Sequence, residues 1–437
     1  DHRDLHSFPT RRSSDLVDLE ERLGEAGRQL SGAYSLAEAV GAYLPPRPIV
    51  ARRHSYQTGT TRYFGARYVD AATRDAVPLD ALAAGASGAV LLCLPATPHE
   101  AEAFAAWAQD GPPARRPQLV VGVARRAGRL AELVGELRAL HWVSENTPEL
   151  RDDPVARREL RARQAAVESL IRGEIERTLT AGQMAGAGGR WFHRGREVSA
   201  GRGLSTLLSA VADELYPQGP RVWNELINRR VLSSQGAAAR RNLIEAMLKQ
   251  GDQPQLGIEG YPPERSMYES VLRAGGLHRP AGSRWVFAPP PADDPLRLRP
   301  AWTAIEEYLF AQPPEPRSVA ALFEQLRRPP YGLTDGVLPV LLCACLLVHH
   351  DAATLYSEGT LLPEPGIADW EVLLRRPELF AVAGSRVAGP RAAVVDRLAR
   401  GLGVTPAALP VVRDLIRRLR SLTELAWKTQ RLSPRAL

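Results

Sequence analysis

The alternation of apolar and polar stretches in the first third of the chain predicts a small α/β domain. Two short continuous apolar runs, Gly88–Pro95 and Pro117–Ala124, are typical of strands buried on both faces. A helical pattern follows each run, at His99–Gln109 and at Ala127–Trp142. Ahead of them, Thr58–Ala71 has the alternation of a further strand. Strands that alternate with helices in this order form a parallel sheet covered by helices.

Helical periodicity flanks this domain on both sides. Val17–Leu44 predicts a helix, a short break and a second helix. Thr147–Leu179 keeps one apolar face among charged residues and predicts a long amphipathic helix, with Asp153 as its N-cap and Pro154 in its first turn. The Gly-rich segment Ala181–Gly189 that follows predicts a linker.

After the linker, the chain repeats one order of predicted elements. Two helices followed by two strands with a tight turn occur twice, and this order is the pattern of a winged helix. The first set covers Gly236–Gln250, Pro262–Gly276 and Leu277–Pro290, and the second covers Arg317–Arg328, Thr334–His350 and Ala353–Pro363. A helix at Pro300–Gln312 joins the two sets. We therefore predict two winged-helix-like modules in tandem.

Together the patterns predict a mixed α/β fold that is mainly helical. The predicted segments are an α/β domain at 17–146, a long helix at 147–180, a linker at 181–189, a first winged-helix-like module at 190–292, a second at 293–385 and a C-terminal helical segment at 386–437. A chain of this length typically holds two or three domains.

The second helix of the second module differs from an ordinary surface helix. Its sequence VLPVLLCACLLVHH is apolar on every side, and a helix of this kind is buried. It has no polar face to present to a DNA groove, so we expect this module to be architectural. Thr334 or Asp335 is the predicted N-cap, and His349 and His350 suit the C-terminal end of the helix dipole.

Composition narrows the class of protein only slightly. The net charge is +7 and the isoelectric point is near 9.6, and of 56 basic residues only Lys249 and Lys428 are Lys. This charge is compatible with nucleic acid, although it is scattered along the chain. All three Cys lie in apolar runs, which indicates buried, reduced thiols and a cytoplasmic protein. No apolar run reaches about 18 residues, so we expect no membrane partner.

Sequence signatures of catalysis and metal binding are absent. The chain has no G-x-x-x-x-G-K-[ST] motif and no Gly-Lys pair, so it contains no P-loop. H-E-x-x-H, C-x-x-C and G-x-S-x-G are absent as well. We therefore assign no catalytic residue, no metal ligand and no cofactor to this chain.

Five arginines form the candidate binding set, and they have two interpretations. Arg229, Arg230, Arg240 and Arg241 lie in or beside a predicted helix, with Asn224 and Glu225 close by in sequence, and Arg265 begins the second helix of the first module. They are suited either to hold phosphates of DNA or of a nucleotide, or to form salt bridges between domains and cap helices. The acidic Glu264 next to Arg265 is unfavourable beside a phosphate backbone.

A second polar stretch, Arg52–Asp70, also has two interpretations. It contains His54, Ser55 and Tyr56 among arginines, which suits a loop that forms a site ahead of a strand. A half-exposed hairpin with Arg and Tyr on its solvent face explains the same pattern.

The first sixteen residues, DHRDLHSFPTRRSSDL, have neither a helical nor a strand period. Back-translated, they resemble a common sequencing-library adapter read in one frame. We therefore exclude them from the fold and expect natural sequence from Val17 onward. This interpretation implies that N-terminal sequence precedes Val17 in the intact protein, and the C-terminal end is a candidate truncation too.

Several longer phrases together resemble one group of proteins. They are HSYQTGTTRYFGARYVD, TPELRDDPVARREL, NELINRRVLSSQGAAARRNLIEAML, LGIEGYPPERSMYESVL and PPYGLTDGVLPVLL. They resemble the region C-terminal to the P-loop of very large bacterial phage-defence ATPases of the BREX BrxC and PglY type and of related uncharacterised P-loop proteins. The resemblance covers most of Arg52–Phe380. It implies that ATP and Mg²⁺ belong to the intact parent, whose Walker motifs lie outside this chain.

Three hypotheses of different classes remain. The first is a coupling and interaction region of such an ATPase, whose partners are the other domains of the parent chain, proteins of the defence complex and DNA phosphates. The second is a stand-alone winged-helix regulator that binds DNA. The third is an enzyme with its site in Arg52–Trp142. The all-apolar helix favours the first hypothesis, and the absence of a convergent catalytic set weakens the third.

Overall fold

The computed structural model describes residues 18–30, 32, 34–125, 127–179, 189–201, 203–384 and 390–421. The adapter-like residues lie outside the described residues. So do the end of the C-terminal helical segment and the predicted linker, of which only Gly189 is described. The chain divides into two compact units. The first runs through Arg53 and again from Arg62 to Ala212, and the second comprises His54–Thr61 and the chain from Asp213 onward.

The first unit contains a six-stranded sheet in the order β1-β2-β3-β4-β5-β6. Its strands are β1 Ile49–Val50, β2 Tyr63–Val69, β3 Gly88–Cys93, β4 Leu119–Val123, β5 Arg190–His193 and β6 Arg196–Val198. β3 and β4 are parallel, as the βαβ pattern predicted, and β2 lies parallel to β3 on the other side. β1, β5 and β6 extend the sheet with antiparallel pairing.

The first winged-helix-like module was predicted to begin at residue 190. Strands β5 and β6 begin there instead, and both belong to the six-stranded sheet. These strands pair with β4 and with each other, because Trp191 and Phe192 are buried in the first unit and pair with Gly122 and Val121. Gly122 has no side chain where the Trp191 ring lies, and a Cβ there would be 2.6 Å from that ring. The hairpin 190–198 therefore belongs to the α/β sheet.

Helices cover this sheet and pack on one another. They are α1 Leu19–Gln29, α2 Leu36–Tyr43, α4 Pro98–Asp110, α5 Gly128–Asn146, α6 Pro154–Leu179 and most of α7 Leu204–Leu215, whereas α3 Arg52–Thr58 belongs mainly to the second unit. Three short 3₁₀ turns are at Arg74–Ala76, Pro112–Arg115 and Pro148–Arg151. The long helix α6 packs along α5, and α5 packs along α1. Asp153 caps α6 as predicted, because its Oδ1 accepts from the backbone N of Val155 and of Ala156.

Of the two interpretations of Arg52–Asp70, the hairpin is wrong, and the residues at its start form a helix and not a loop. Residues 52–58 form helix α3, and β2 pairs with β1, which lies ahead of that helix. Within this helix the Thr58 hydroxyl donates to the carbonyl oxygen of His54 one turn earlier, and only His54 is buried.

The second unit is built mainly from helices. They are α8 Ser234–Lys249, α9 Pro263–Met267 with a π-helical continuation Tyr268–Arg273, α10 Arg299–Leu309, α11 Val319–Arg327, α12 Val337–Val348, α13 Ile367–Leu373, α14 Pro390–Leu402 and α15 Ala408–Arg420. Short 3₁₀ turns occur at Pro254–Gly257 and Pro377–Leu379. The predicted helices of both repeated sets are thus present.

Strands of the second unit form two separate sheets. They are β7 His278–Ala281, β8 Arg284–Phe287, β9 Arg317–Ser318, β10 Ala353–Ser357, β11 Thr360–Leu362 and β12 Phe380–Gly384. β7 and β8 form an antiparallel hairpin, and the other four form a sheet in the order β11-β10-β12-β9. Both predicted hairpins are therefore confirmed, and β9 and β12 are additions that the pattern did not indicate.

Helix α12 lies at the centre of the second unit's core. Every residue from Val337 to Leu346 is buried, as the all-apolar sequence predicted. The predicted N-cap is wrong, because Gly336 precedes the helix and makes no side-chain cap bond. Thr334 instead donates its hydroxyl to Asn228, and the Asp335 carboxylate pairs with Arg327 at 2.5 Å. His349 is the C-cap residue.

The fold is thus mixed α/β and predominantly helical. All three cysteines are free and buried, which agrees with the expectation from their apolar surroundings. Across the described ranges, no helix combines the length and the apolar character needed to cross a membrane.

Candidate functional site

The loop ahead of α8 carries the first two candidate arginines. Arg229 pairs through Nη2 with Oε2 of Glu225 at 3.0 Å, four residues earlier. Arg230 is exposed, and within the described part of the chain its side chain makes no hydrogen bond or ion pair. Of this pair, Arg230 alone is therefore available to an external anion without breaking an existing contact.

The two arginines on α8 are used within the second unit. Arg240 donates from Nη1 to the backbone carbonyl oxygen of Asp335 at 2.8 Å, just before α12. Burial lowers the pKa of the Arg240 guanidinium, and the nearby Asp335 opposes that shift. Arg241 bonds to the carboxylate of Glu371 on α13. These contacts join α8 to the elements that pack on it.

Arg265 is also satisfied inside the protein. Its Nε bonds to Oε1 of Glu269 at 2.7 Å, its Nη1 donates to the carbonyl oxygen of Ile258 at 2.9 Å, and its side chain is only 11% exposed. Glu269 binds Arg273 as well, at 2.9 Å. Arg229, Arg240, Arg241 and Arg265 thus bond to partners inside the second unit and not to another domain, and the phosphate interpretation stays a prediction.

The side-chain amide of Asn224 is also hydrogen-bonded within the second unit. Its Nδ2 donates to the carbonyl oxygen and the hydroxyl of Ser266 and to the hydroxyl of Ser270, and its Oδ1 accepts from the backbone N of Leu226. It therefore fixes the loop against α9 and does not orient a free ligand.

A buried amide centre was missed by sequence reasoning. Asn228 is buried, and its Nδ2 points at three acceptors: the carbonyl oxygens of Gly59 and Val222 and the hydroxyl of Thr60, at 2.7–3.0 Å. Its Oδ1 accepts from Thr334. Because every polar atom of the amide is bonded, Asn228 holds the segment His54–Thr61 in place and has no free donor or acceptor for a ligand.

A second missed group surrounds His278 on β7. Nε2 bonds to the carbonyl oxygen of Gly251 at 3.0 Å, and because a carbonyl can only accept, Nε2 carries the proton. Nδ1 then accepts from the Tyr268 hydroxyl at 3.0 Å. The ring packs against Trp285 and Phe287. The imidazole is buried and fully bonded, which indicates a structural role.

The carboxyl edge of the parallel strands holds a cavity of about 300 Å³ in the first unit, the place where α/β sheets commonly bind ligands. Arg190 lines it but pairs with Glu102 and Glu197 at 3.2 and 2.9 Å. The start of α4 is closed by its own cap, because Thr97 accepts from the N of Glu100 and the Glu100 carboxylate accepts from the N of Ala96. Among the lining residues, Glu102 is the one carboxylate, and it pairs with Arg190.

Where the structure describes the chain, no group of three or more His, Cys, Asp or Glu side chains is arranged to hold a metal ion. Comparison with known proteins finds no match to this chain among family models, curated proteins or solved structures.

Proposed function

We propose that this chain is the coupling and interaction region of a large P-loop ATPase that takes part in phage defence, similar to the BrxC and PglY proteins of BREX systems. The phrases quoted above between Arg52 and Phe380 are the reason for naming this group. ATP and Mg²⁺ are then bound by the parent's P-loop domain. The chain itself contacts other domains of the parent and proteins of the defence complex.

The order and pairing of elements support a winged-helix topology in the second half of the second unit. A winged-helix domain runs helix, strand, helix, helix, strand, wing, strand, and its last strand lies between the other two. α10, β9, α11, α12, β10 and β12 follow this order, and β12 pairs with both β10 and β9. β11 and α13 then belong to an enlarged wing between Ser357 and Phe380.

The first module fits the same plan less fully. α8, α9 and the β7–β8 hairpin supply two helices and a wing, and the hairpin forms a two-stranded sheet of its own. Two successive winged-helix-like modules are suited to transmit a change of state between neighbouring domains.

The burial of α12 is the observation that carries the proposal. In a helix-turn-helix arrangement the second helix is the one that enters the major groove of DNA. α12 occupies that position, yet Val337–Leu346 is buried throughout. A helix without a polar exposed face has no donors or acceptors for base edges. The module therefore supports packing and coupling better than DNA reading.

Exposed aromatic side chains offer a contact surface for such partners. Trp223 is 57% exposed and Tyr56 is 83% exposed. Trp223 Nε1 donates to the carbonyl oxygen of Tyr56 at 2.9 Å, so the polar group of the indole is already satisfied and its ring is presented to solvent. Trp and Tyr are the residues that most often dominate binding energy in protein interfaces.

Determination of the genomic sequence upstream of the Val17 codon tests the proposal directly. A P-loop motif encoded in the same reading frame within a few hundred codons supports it. A start codon immediately upstream, with no P-loop, overturns it and favours the stand-alone regulator.

A biochemical test uses the chain itself. The purified protein is expected not to hydrolyse ATP, because it lacks the Gly-Lys pair of the phosphate cradle. Steady ATP turnover that is abolished by one substitution within the chain would show that it holds a nucleotide site of its own, contrary to the proposal.

A further inference from the structure

The β7–β8 hairpin has two faces of opposite character. Residues directly opposite each other in an antiparallel pair point to the same side. Arg279 faces Val286 and Ala281 faces Arg284, so these four side chains share one face. All four are exposed, and both Arg279 and Arg284 lie on this outer face within one diagonal step of each other.

The inner face fixes the hairpin to the unit. His278, Trp285 and Phe287 are on this side, and the His278 ring packs on both aromatic rings. The backbone N of Trp285 donates to the carbonyl oxygen of Asp252, and that of Ala288 donates to Leu277. The two arginines are therefore presented by a ribbon that is anchored at its base and closed at its tip by Gly282, whose φ is +64°.

These arginines differ from four of the five candidates chosen from the sequence. Arg229, Arg240, Arg241 and Arg265 each bond to a partner in the protein, whereas Arg279 and Arg284 make no hydrogen bond or ion pair with any described residue. The outer face of the hairpin contains no acidic residue. Asp252 approaches it through its backbone, and its carboxylate pairs with neither arginine.

We propose that this outer face binds the phosphodiester backbone of duplex DNA, with Arg279 and Arg284 each neutralising one phosphate. Two unpaired guanidinium groups on a face without acids are complementary to a polyanion. Duplex is favoured over single-stranded nucleic acid because the outer face has no aromatic ring on which a base can stack, since Trp285 is turned inward. Contacts to phosphates alone give binding that does not depend on sequence. This inference does not rest on the ATPase proposal.

The test is a salt titration of binding to fluorescent DNA duplexes of about 20 base pairs and two unrelated sequences. The double variant Arg279→Ala/Arg284→Ala is compared with the parent. Each lost phosphate contact lowers the slope of log affinity against log salt by about 0.9, so the variant is expected to lose about 1.8. Between about 50 and 200 mM salt, its affinity then falls about 12-fold less than that of the parent.

The matched control is Arg158→Ala/Arg161→Ala, which removes the same charge from two exposed positions on α6 that make no hydrogen bond or ion pair with any described residue. It is expected to keep the parental slope. An unchanged slope in the hairpin variant, an equal loss in the control, or no binding by the parent at low salt overturns the proposal. Tighter binding to a single strand or to duplex RNA overturns the assignment to duplex DNA. Thermal unfolding of each variant confirms that the fold is retained, and the upstream reading frame decides the ATPase proposal separately.

Discussion

Thr334 donates its hydroxyl to Oδ1 of Asn228 over 3.0 Å, across a separation of 106 residues in sequence, and both side chains are buried. This bond joins the turn ahead of α12 to the loop ahead of α8. The Nδ2 group of the same Asn228 bonds to the segment that contains Gly59 and Thr60. Three distant parts of the chain therefore meet at one amide.

Replacing Asn228 with Ala is expected to lower the free energy of unfolding by about 2–4 kcal/mol, because it leaves several buried acceptors and one buried hydroxyl without partners. Asn242→Ala is the control. Asn242 is exposed on α8 and accepts one long bond of 3.4 Å from Arg241, so its loss is expected to change stability by less than about 0.5 kcal/mol. Urea unfolding of both variants measures the difference, and equal values for the two would show that the amide centre contributes nothing special.

The three thiols are expected to be protected in the folded protein. Burial raises the pKa of Cys93, Cys343 and Cys345, which keeps them as thiols near neutral pH, and the surrounding core blocks access. Ellman's reagent should therefore detect none of the three rapidly in buffer and all three in guanidinium chloride. Fast labelling of Cys343 and Cys345 in buffer would mean that α12 faces solvent, and the architectural role of this helix would then be lost.

Elements set by local pattern, and the parallel pairing of β3 with β4, were predictable from the sequence, whereas the pairings of β12 and of the hairpin 190–198 were not. α12 has no polar residue between Val337 and Leu346, so burial was its only stable outcome. β12 and the hairpin 190–198 were missed because each acquires its place by pairing with strands far away in sequence. A two-residue strand such as β9 has no period to detect.

The candidate site was harder to predict for the same reason. The sequence shows that Arg240 and Arg241 are charged. It does not show that their guanidinium groups donate to the carbonyl oxygen of Asp335 and to the carboxylate of Glu371. Arg279 and Arg284 lie in a predicted hairpin, yet only the register shows that they share one face.

Stability is expected to fall in mild acid through His278. Burial lowers the pKa of this imidazole, and the bond to Gly251 opposes the shift. Below the ordinary His pKa of about 6.5, the unfolded chain binds a proton that the folded protein does not, so stability decreases as pH falls. The slope from this one group is at most about 1.4 kcal/mol per pH unit.

Urea unfolding at about pH 7.5 and pH 5.5 measures this contribution of His278. His278→Gln is expected to be less stable at both pH values but to lose less stability between them than the parent. The control His99→Gln, at an exposed position, should keep the parental difference. A His278 variant with the full parental difference would assign the acid sensitivity to other groups.

The last prediction separates backbone conformation from close packing at two glycines. Gly59 and Gly260 both have left-handed backbones, with φ of +71° and +67°. A Cβ on Gly260 meets no atom within 4 Å, whereas a Cβ on Gly59 lies against the carbonyl oxygen of Val222 and 3.0 Å from Cα of Trp223. Gly260→Ala therefore carries only the conformational penalty of about 1 kcal/mol. Gly59→Ala carries the same penalty and must also displace the backbone at Val222, whose N donates to the carbonyl oxygen of Thr58. We therefore expect a total loss of about 3 kcal/mol or more.

Urea unfolding of the two variants gives the comparison directly. Equal, small losses would mean that the chain around Gly59 yields without cost and that the segment His54–Thr61 is not held as tightly as its bonds to Asn228 indicate.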